Sequence, residues 1–358
     1  MNGHEQGNSR AAPSRLRIVV DTDMGVDDAA AVAWLLSQRE RPVELAGVAA
    51  VWGNTGVDAA AVNVVALLRA LGREQVPVVM GEAAPSSGPM SPIGSLVHGA
   101  DGMWGRAAGT IATCPKDLVA FYRAVAAADT TLLALGPLTN LTRVAALAPD
   151  VLRRFARIVV LGGAWRHGSI TPVSETNFWH DPEAADRVLA ERLPIVLVTR
   201  DAHRAFALTH DDLAALATAG SPAARYLAAP MRAYAQVTGR FGEPLNFPDV
   251  VAAVLAVEPA AATVRRSALV RVVTGTHGLV RGQSVMGFAD NERLAMIEGG
   301  AALARLVEQA LAEPTLHLGR ALAAILAREP DNAEVVLAVD AARVRRSFLC
   351  ALTREART

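Results

Sequence analysis

Four carboxylates fall within eight residues in Asp21-Thr22-Asp23-Met24-Gly25-Val26-Asp27-Asp28, directly after the Ile- and Val-rich run that begins at Leu16. Like charges so close repel. In a partly dry crevice they are tolerated if a cation sits among them, if some are protonated, or if backbone donors satisfy them. Oxygen donors select a hard cation, Ca²⁺ or Mg²⁺, and the segment has no His or Cys to favour zinc. Gly25 is expected to let the backbone turn tightly, so that Asp23 and the Asp27/Asp28 pair converge. A plainer role for Asp27 and Asp28 is to cap a helix N-terminus, which would account for one or two of the carboxylates but not four. An EF-hand is excluded, because counting from Asp21 puts Val26 and Val32 where that loop needs Gly and Glu.

The elements that must position this cluster read as alternating strands and helices. Leu16 to Asp21 precedes a helical stretch Asp27 to Gln38, Val43 to Val51 precedes Val57 to Leu71, and Thr131 to Leu135 precedes Leu138 to Leu147. Ile158 to Leu161 and Ile195 to Val198 are further strands. The pattern predicts an α/β fold with a mostly parallel central sheet flanked by helices, whose strands are apolar throughout because both faces are covered. Ligands of such sheets bind beyond the carboxyl ends of the strands, which directs attention to Asp21 to Asp28, Trp52 to Asn54, Leu135 to Asn140 and Gly162 to Asp181. Gly81 to Gly109 reads as a long irregular loop. Toward the end, Glu292 to Ala327 predicts a helical pair broken near Pro314, and Glu334 to Val339 a strand followed by a helix through Leu352.

The 358 residues carry 35 Lys+Arg against 35 Asp+Glu, so no overall charge favours nucleic acid or another polyanion. With 52% hydrophobic and 20% charged residues, disorder is excluded. Cys114 and Cys350 are far apart and form no CxxC, which fits a reducing compartment and offers no thiolate zinc site. Residues 1–15 read as a flexible polar tail rather than a secretory signal, and the apolar segments are too short to span a membrane. A cytoplasmic protein is expected, organised as one domain over residues 16–358.

The cluster at Asp21 to Asp28 resembles the DTDxGxDD signature of the nucleoside hydrolases, the calcium-dependent N-ribohydrolases that include the inosine-uridine preferring enzymes. Further segments similar to that family follow in order. They are Trp52-Gly53-Asn54, His98-Gly99-Ala100-Asp101-Gly102, Leu135-Gly136-Pro137-Leu138-Thr139-Asn140, Glu175-Thr176-Asn177, Asp181-Pro182-Glu183-Ala184-Ala185 and Arg281-Gly282-Gln283-Ser284-Val285. The resemblance covers about residues 16 to 290, and several motifs in one order are far more specific than any one alone. It implies Asp23, Asp28, Asp249 and the backbone carbonyl of Leu135 as Ca²⁺ ligands, with Asp23 also the base for a metal-bound water. It further implies Asp27, Asn54, Glu175 and Asn177 on the ribose hydroxyls, with Leu161, Trp179 and Phe247 also on the substrate. A homodimer or homotetramer acting in purine or pyrimidine salvage, with a nucleoside as its ligand and neither nucleic acid nor membrane as partner, is implied too.

Other roles compete at several of these positions. Asn54 and Asn140 could each cap the helix that follows, and for Asn140 capping is the favoured role. Glu175 and Asn177 could be solvated loop residues, and His98 a loop histidine. Trp52, Trp104, Trp165 and Trp179 lie in or beside the candidate loops, as packing or as a stacking wall for a nucleobase. The sequence departs from the family where a His often precedes the last Asp ligand: Pro248 stands there and has no proton to donate. Phe247, Trp179, Trp165, His180, Tyr234, Arg240 and His203 are the side chains left to assist the departing base. A second departure is the stretch of about 290–331, read as a helical insertion. The expected activity is hydrolysis of a ribonucleoside N-glycosidic bond. The alternatives are a nucleoside- or ribose-binding protein with weak or no hydrolase activity, and a Mg²⁺ phosphohydrolase resting on Asp21 and Asp23.

Overall fold

The computed structural model describes residues 15–88, 90–110, 113–275 and 278–354. The tail expected over residues 1–15 lies, apart from Arg15, outside them. The described strands are Leu16–Thr22 (β1), Val43–Ala50 (β2), Val78–Met80 (β3), Thr130–Ala134 (β4), Arg157–Leu161 (β5), Ile195–Val198 (β6), Ala262–Val272 (β7), Ser284–Gly287 (β8) and Ala333–Val339 (β9). They form one sheet in the order β3-β2-β1-β4-β5-β6-β9-β7-β8. All pairings from β3 across to β9 are parallel, and β7 runs antiparallel to both β9 and β8. The expected α/β architecture is therefore present, with an antiparallel edge that the sequence pattern does not reveal.

Strand pleating explains why β1 is apolar throughout. Ile18 and Val20 enter the core on one face of the sheet while Val19 enters the core on the other. The first core also takes in the helices Val26–Leu36 and Pro248–Val257, which pack against each other. In the first, every residue from Val26 to Leu35 is buried, so it lacks a polar face. Trp34→Ala in its middle would cost about 3–5 kcal/mol through the cavity left behind.

The chain runs from β1 outward to β2 and β3, then returns across β1 to build β4, β5 and β6. The strand order thus reverses between β1 and β4, where the two connections diverge and open a crevice at the carboxyl ends. The Leu135 amide donates to the Asp21 carbonyl at 2.8 Å and ties the two strand ends together. The helices Val26–Leu36 and Pro248–Val257 both begin beside this crevice, carrying Asp27 and Asp28 on one and Asp249 on the other.

The stretch expected to be irregular over 81–109 contains the helix Ile93–His98, which packs against the long helix Pro222–Arg240. Between β8 and β9 lie the helices Asp290–Met296, Ala301–Ala312 and Leu318–Leu326, the last two separated near Pro314 as expected. They close over a small core of their own that includes Leu294, Leu306 and Leu326. Among the described residues no helix is long and apolar enough to cross a membrane.

Candidate functional site

β1 ends at Thr22, and the turn that follows takes Met24 into a positive φ of 41°. The tight bend expected of Gly25 falls on Met24 instead: Gly25 has φ −81° and starts the helix. Its lack of a side chain still matters, since a Cβ would stand 2.6 Å from both Asn54 Nδ2 and His98 Nδ1. The turn separates the four carboxylates. Asp21 is on the same face of β1 as Val19, where Tyr122 and Asn140 donate to its Oδ2 at 2.6 and 2.8 Å. Burial pushes its pKa up to about 7 against these two bonds. A phosphohydrolase reading that needs Asp21 beside Asp23 in the crevice is thereby removed. Asn140 caps nothing: it donates to Asp21 and Ala50 and accepts from the Glu82 amide.

Asp23, Asp27, Asp28 and Asp249 stay together on the crevice side. Asp27, Asp28 and Asp249 each bring one carboxylate oxygen to within 4.8 Å of the others, all three buried. Asp28 accepts from Thr22 Oγ1 at 2.5 Å and from the Gly25 amide at 2.9 Å, so it does perform the helix-start role anticipated for it. Asp23 is held by Asn54, whose backbone amide donates to Oδ2 at 2.7 Å and whose side chain donates to Oδ1 at 3.2 Å. The same Asn54 Nδ2 lies 3.1 Å from Asp28 Oδ2 and so bridges the two carboxylates, while the helix that follows starts from Gly56. Asn54 is thus a carboxylate partner and not a cap. Burial, followed by the charges of neighbouring aspartates, pushes Asp23 and Asp249 well above the usual carboxylate range, and burial raises Asp27 and Asp28 as well. Asp249 Oδ1 is buried with no hydrogen-bond partner among the described residues.

Asp27 and Asp249 of this cluster line a cavity of about 330 Å³, whereas Asp23 and Asp28 are not among its lining residues. Leu135, Leu161, Glu175 and Asn177 line it beside Asp27, Asn54 and Asp249. Asn177 Nδ2 donates to the carbonyls of Leu135 and Leu161 at 2.6 and 3.1 Å, which joins the ends of β4 and β5. Each carbonyl has two lone pairs, so Leu135 retains one for another partner. Glu175 is only 6% exposed, against the solvated alternative. It accepts from the amides of Gly163, Asn177 and Phe178, and burial nevertheless raises its pKa.

Trp179 and Phe247 are not among the residues that line the cavity. Trp179 packs edge-on against His180 with the Arg281 guanidinium over its ring, and Phe247 is fully buried beneath Tyr234, stacked at 5.1 Å. The other tryptophans are no stacking wall either. Trp52 is buried and donates to Thr139, Trp104 donates to the Val97 carbonyl, and Trp165 packs on Phe288 and Arg166. The aromatic groups that do line the cavity are His98, His203 and Tyr234. His98, anticipated as a loop histidine, accepts the Val26 amide on Nδ1 at 3.1 Å, so its proton is on Nε2. Burial lowers its pKa to about 4 and keeps it neutral. His180 is buried away from the cavity and Arg240 is exposed outside it.

Arg200, Arg204, Ser169, Thr176 and Glu243 also line the cavity; Ser169 and Thr176 fall in the Gly162 to Asp181 stretch that the sequence singled out, and Arg200, Arg204 and Glu243 were not named from it. Arg200 lies two residues past the end of β6, so its place after a strand end was the available clue. Its guanidinium approaches Glu243 at 3.5 Å.

The family model for the inosine-uridine preferring nucleoside hydrolases matches residues 18–346. A probable uridine nucleosidase 2 of Arabidopsis thaliana is 32% identical over 224 residues, 61% of this chain and 69% of that protein. The pyrimidine-specific ribonucleoside hydrolase RihA of Citrobacter koseri is 30% identical over 247 residues, 66% of this chain and 78% of that one. A solved plant nucleoside hydrolase superposes with a TM-score of 0.78 at 26% identity, over 95% of this chain and 99% of its own. The fold recurs in a purine-preferring ribonucleoside hydrolase from Gardnerella vaginalis, with a TM-score of 0.75 at 22% identity over 94% and 98% of the two chains.

Proposed function

The chain belongs to the inosine-uridine preferring nucleoside hydrolase family and is a nucleoside hydrolase acting on the N-glycosidic bond of ribonucleosides, and from that premise we propose how its cavity performs the reaction. The observation that carries the proposal is the meeting of Asp27, Asp28 and Asp249 from two buried helix starts, with Asp23 beside them and Asp249 Oδ1 unpartnered. Buried like charges with raised pKa values and only oxygen donors fit a hard divalent cation, and Ca²⁺ accepts more such ligands than Mg²⁺ does. Asp23, Asp28, Asp249 and the Leu135 carbonyl would hold it. A Ca²⁺ held there would supply positive charge that favours the sugar's vicinal diol and makes the attacking water more acidic.

The side chains do the rest. Asp27, Asn54, Glu175 and Asn177 hold the ribose hydroxyls, and the Leu161 carbonyl stands beside them at the end of β5. Asp23, its two oxygens aimed by Asn54, takes the proton of the attacking water. The carboxylates around the anomeric carbon stabilise the positive charge that develops as the bond to the base stretches. Pro248 donates no proton, so the departing base relies on the neutral His98, with its proton on Nε2, next to Tyr234, whose ring is 5.3 Å away and whose hydroxyl donates to the Asn246 carbonyl. The unpaired Cys114 and Cys350 fit a cytoplasmic enzyme, and a homo-oligomer serving nucleoside salvage, with 290–331 as an insertion in one domain, completes the reading.

The test is release of free ribose from a panel of purine, pyrimidine and modified nucleosides, with Ca²⁺ and after chelation. Release that chelation stops and Ca²⁺ restores is expected. Undiminished release after chelation would remove the cation from the mechanism, and no release from any nucleoside would remove the reaction.

A further inference from the structure

The two walls of the cavity beyond the carboxylate cluster differ in chemistry. One is made by Ile93, Val97, His98, Tyr234 and Pro248, apolar or aromatic groups suited to a planar base. The other, beyond Glu175 at the ends of β5 and β6, is made by Ser169, Thr176, Arg200 and Arg204, with Glu243 at its edge. A ribonucleoside has two arms on its sugar ring, the base on C1′ and the 5′ carbon on C4′. In the proposed binding mode, with the diol at the carboxylates and the base on the aromatic wall, the 5′ arm would be left to the second wall.

That wall carries more cation and hydroxyl than a neutral 5′-hydroxyl requires. Ser169 and Thr176 place their hydroxyls 2.8 Å apart. The Arg200 amide donates to the Gly163 carbonyl while the Gly163 amide donates to Glu175, which sets Arg200 next to the sugar-binding carboxylate. Arg204 follows one helical turn later, on the same side. The Arg200 side chain is 18% exposed and its Nε is buried without a hydrogen-bond partner among the described residues. Its ion pair with Glu243 is long at 3.5 Å, and the Glu243 side chain is 57% exposed, so an incoming anion displaces that carboxylate into water at little cost. Glu175 is the other acid here, and its oxygens already accept three backbone amides. Burial, and after it the charges of Arg200 and Arg204, lowers the pKa of His203 to about 3 and keeps it neutral.

We infer that the cavity accepts ribonucleoside 5′-monophosphates, with the phosphate on the Arg200 and Arg204 guanidiniums and the Ser169 and Thr176 hydroxyls. The inference rests on the proposed hydrolysis. The C1′–N bond breaks, a C1′–O bond forms from water, the water's proton passes to the base nitrogen, and the phosphate ester is untouched. The products are ribose 5-phosphate and the free base.

The test compares kcat/KM for base release from uridine and inosine with that from their 5′-monophosphates, in Ca²⁺, for the wild type and for Arg200→Met/Arg204→Met. The wild type is expected to prefer the monophosphates by about tenfold or more. The double variant should lose about 100-fold or more on them, as two charge-assisted phosphate contacts imply, and less than about fivefold on the nucleosides. Arg200→Lys/Arg204→Lys should recover part of the loss, which excludes a folding defect. A wild type that prefers the nucleosides, or a double variant that loses equally on both, would overturn the inference. Calorimetric binding of ribose 5-phosphate against ribose separates this inference from the reaction. Tighter binding of the phosphate that the double variant abolishes upholds the wall even if no base is released, and equal affinities dispose of it.

Discussion

The crevice at the end of β1 and the helical stretch between β8 and β9 are built on opposite terms. In the crevice, charged groups are buried: Asp23, Asp28 and Asp249 are at most 3% exposed, and one of their oxygens has no partner among the described residues. In the helical stretch, apolar groups are exposed, with Leu311 at 80% and Leu318 at 52%. Burying charge without a full set of partners costs stability, whereas scattered exposed leucines cost little. The first region is therefore organised for a ligand at the expense of the fold, and the second is held by a small core and is tolerant of change.

The largest effect that would break or sharpen this contrast is on turnover. Asp23→Asn should lower kcat by at least about 100-fold, the loss expected when a general base is removed, while circular dichroism shows the fold retained. Turnover within threefold of wild type would detach Asp23 from the chemistry. Next comes the cation itself. At Ca²⁺ about 100 times its dissociation constant the folded protein should gain about 2.7 kcal/mol over the chelated form, with hydrogen-exchange protection rising at the two helix starts and not at Ala301–Ala312. Uniform protection across both regions would erase the contrast.

Titration gives a third and smaller effect, because Asp21 and His180 depend on pH in opposite senses. The folded pKa of Asp21, about 7, lies above its ordinary 3.8, so its contribution is full below about pH 4 and is lost as pH rises through 7. Burial and the Arg281 charge lower His180 from 6.5 to about 4, so its contribution is present above pH 6.5 and is lost as pH falls to 4. Asp21→Asn should therefore gain on wild type by about 1–3 kcal/mol between pH 5 and 8 in denaturant titrations, and parallel curves would show that Asp21 ionises normally. The smallest effect belongs to the helical stretch. Leu311→Glu should change stability by no more than about 0.5 kcal/mol and leave kcat within twofold, and a change in sedimentation would show that this face is covered in solution.

Much of the sheet was legible because parallel strands buried on both faces read as uninterrupted apolar runs, and β1, β2, β4, β5, β6 and β9 were each anticipated within a residue or two. β7 was not, since its first half is exposed and carries Arg265 and Arg266, which look like loop. The cavity's backbone of Asp27, Asn54, Glu175, Asn177 and Asp249 could be named from motifs because each follows a strand or opens a helix. Between packing and a stacking wall, the sequence could not choose for the tryptophans, for a physical reason. Proximity in sequence to a loop does not say which way a large ring turns, and burial of its apolar area turned Trp52 inward against His180.

The chemistry of the donors was determined by the sequence alone: an apolar strand that ends in Asp-Thr-Asp and leads into Val-Asp-Asp brings carboxylates, and only oxygen, to a strand end. Which of them would meet was decided by tertiary structure. Pleating sent Asp21 to Tyr122 and Asn140 on one face, the turn at Met24 kept Asp23 and Asp28 on the other, and helix packing carried Asp249 in from far along the chain. Arg200 and Arg204 reached the same cavity only because β6 lies two strands from β4 in the folded sheet. Residue type and local order are properties of the chain, but the distance between charges is a property of the packing, and it is that distance that sets their energy.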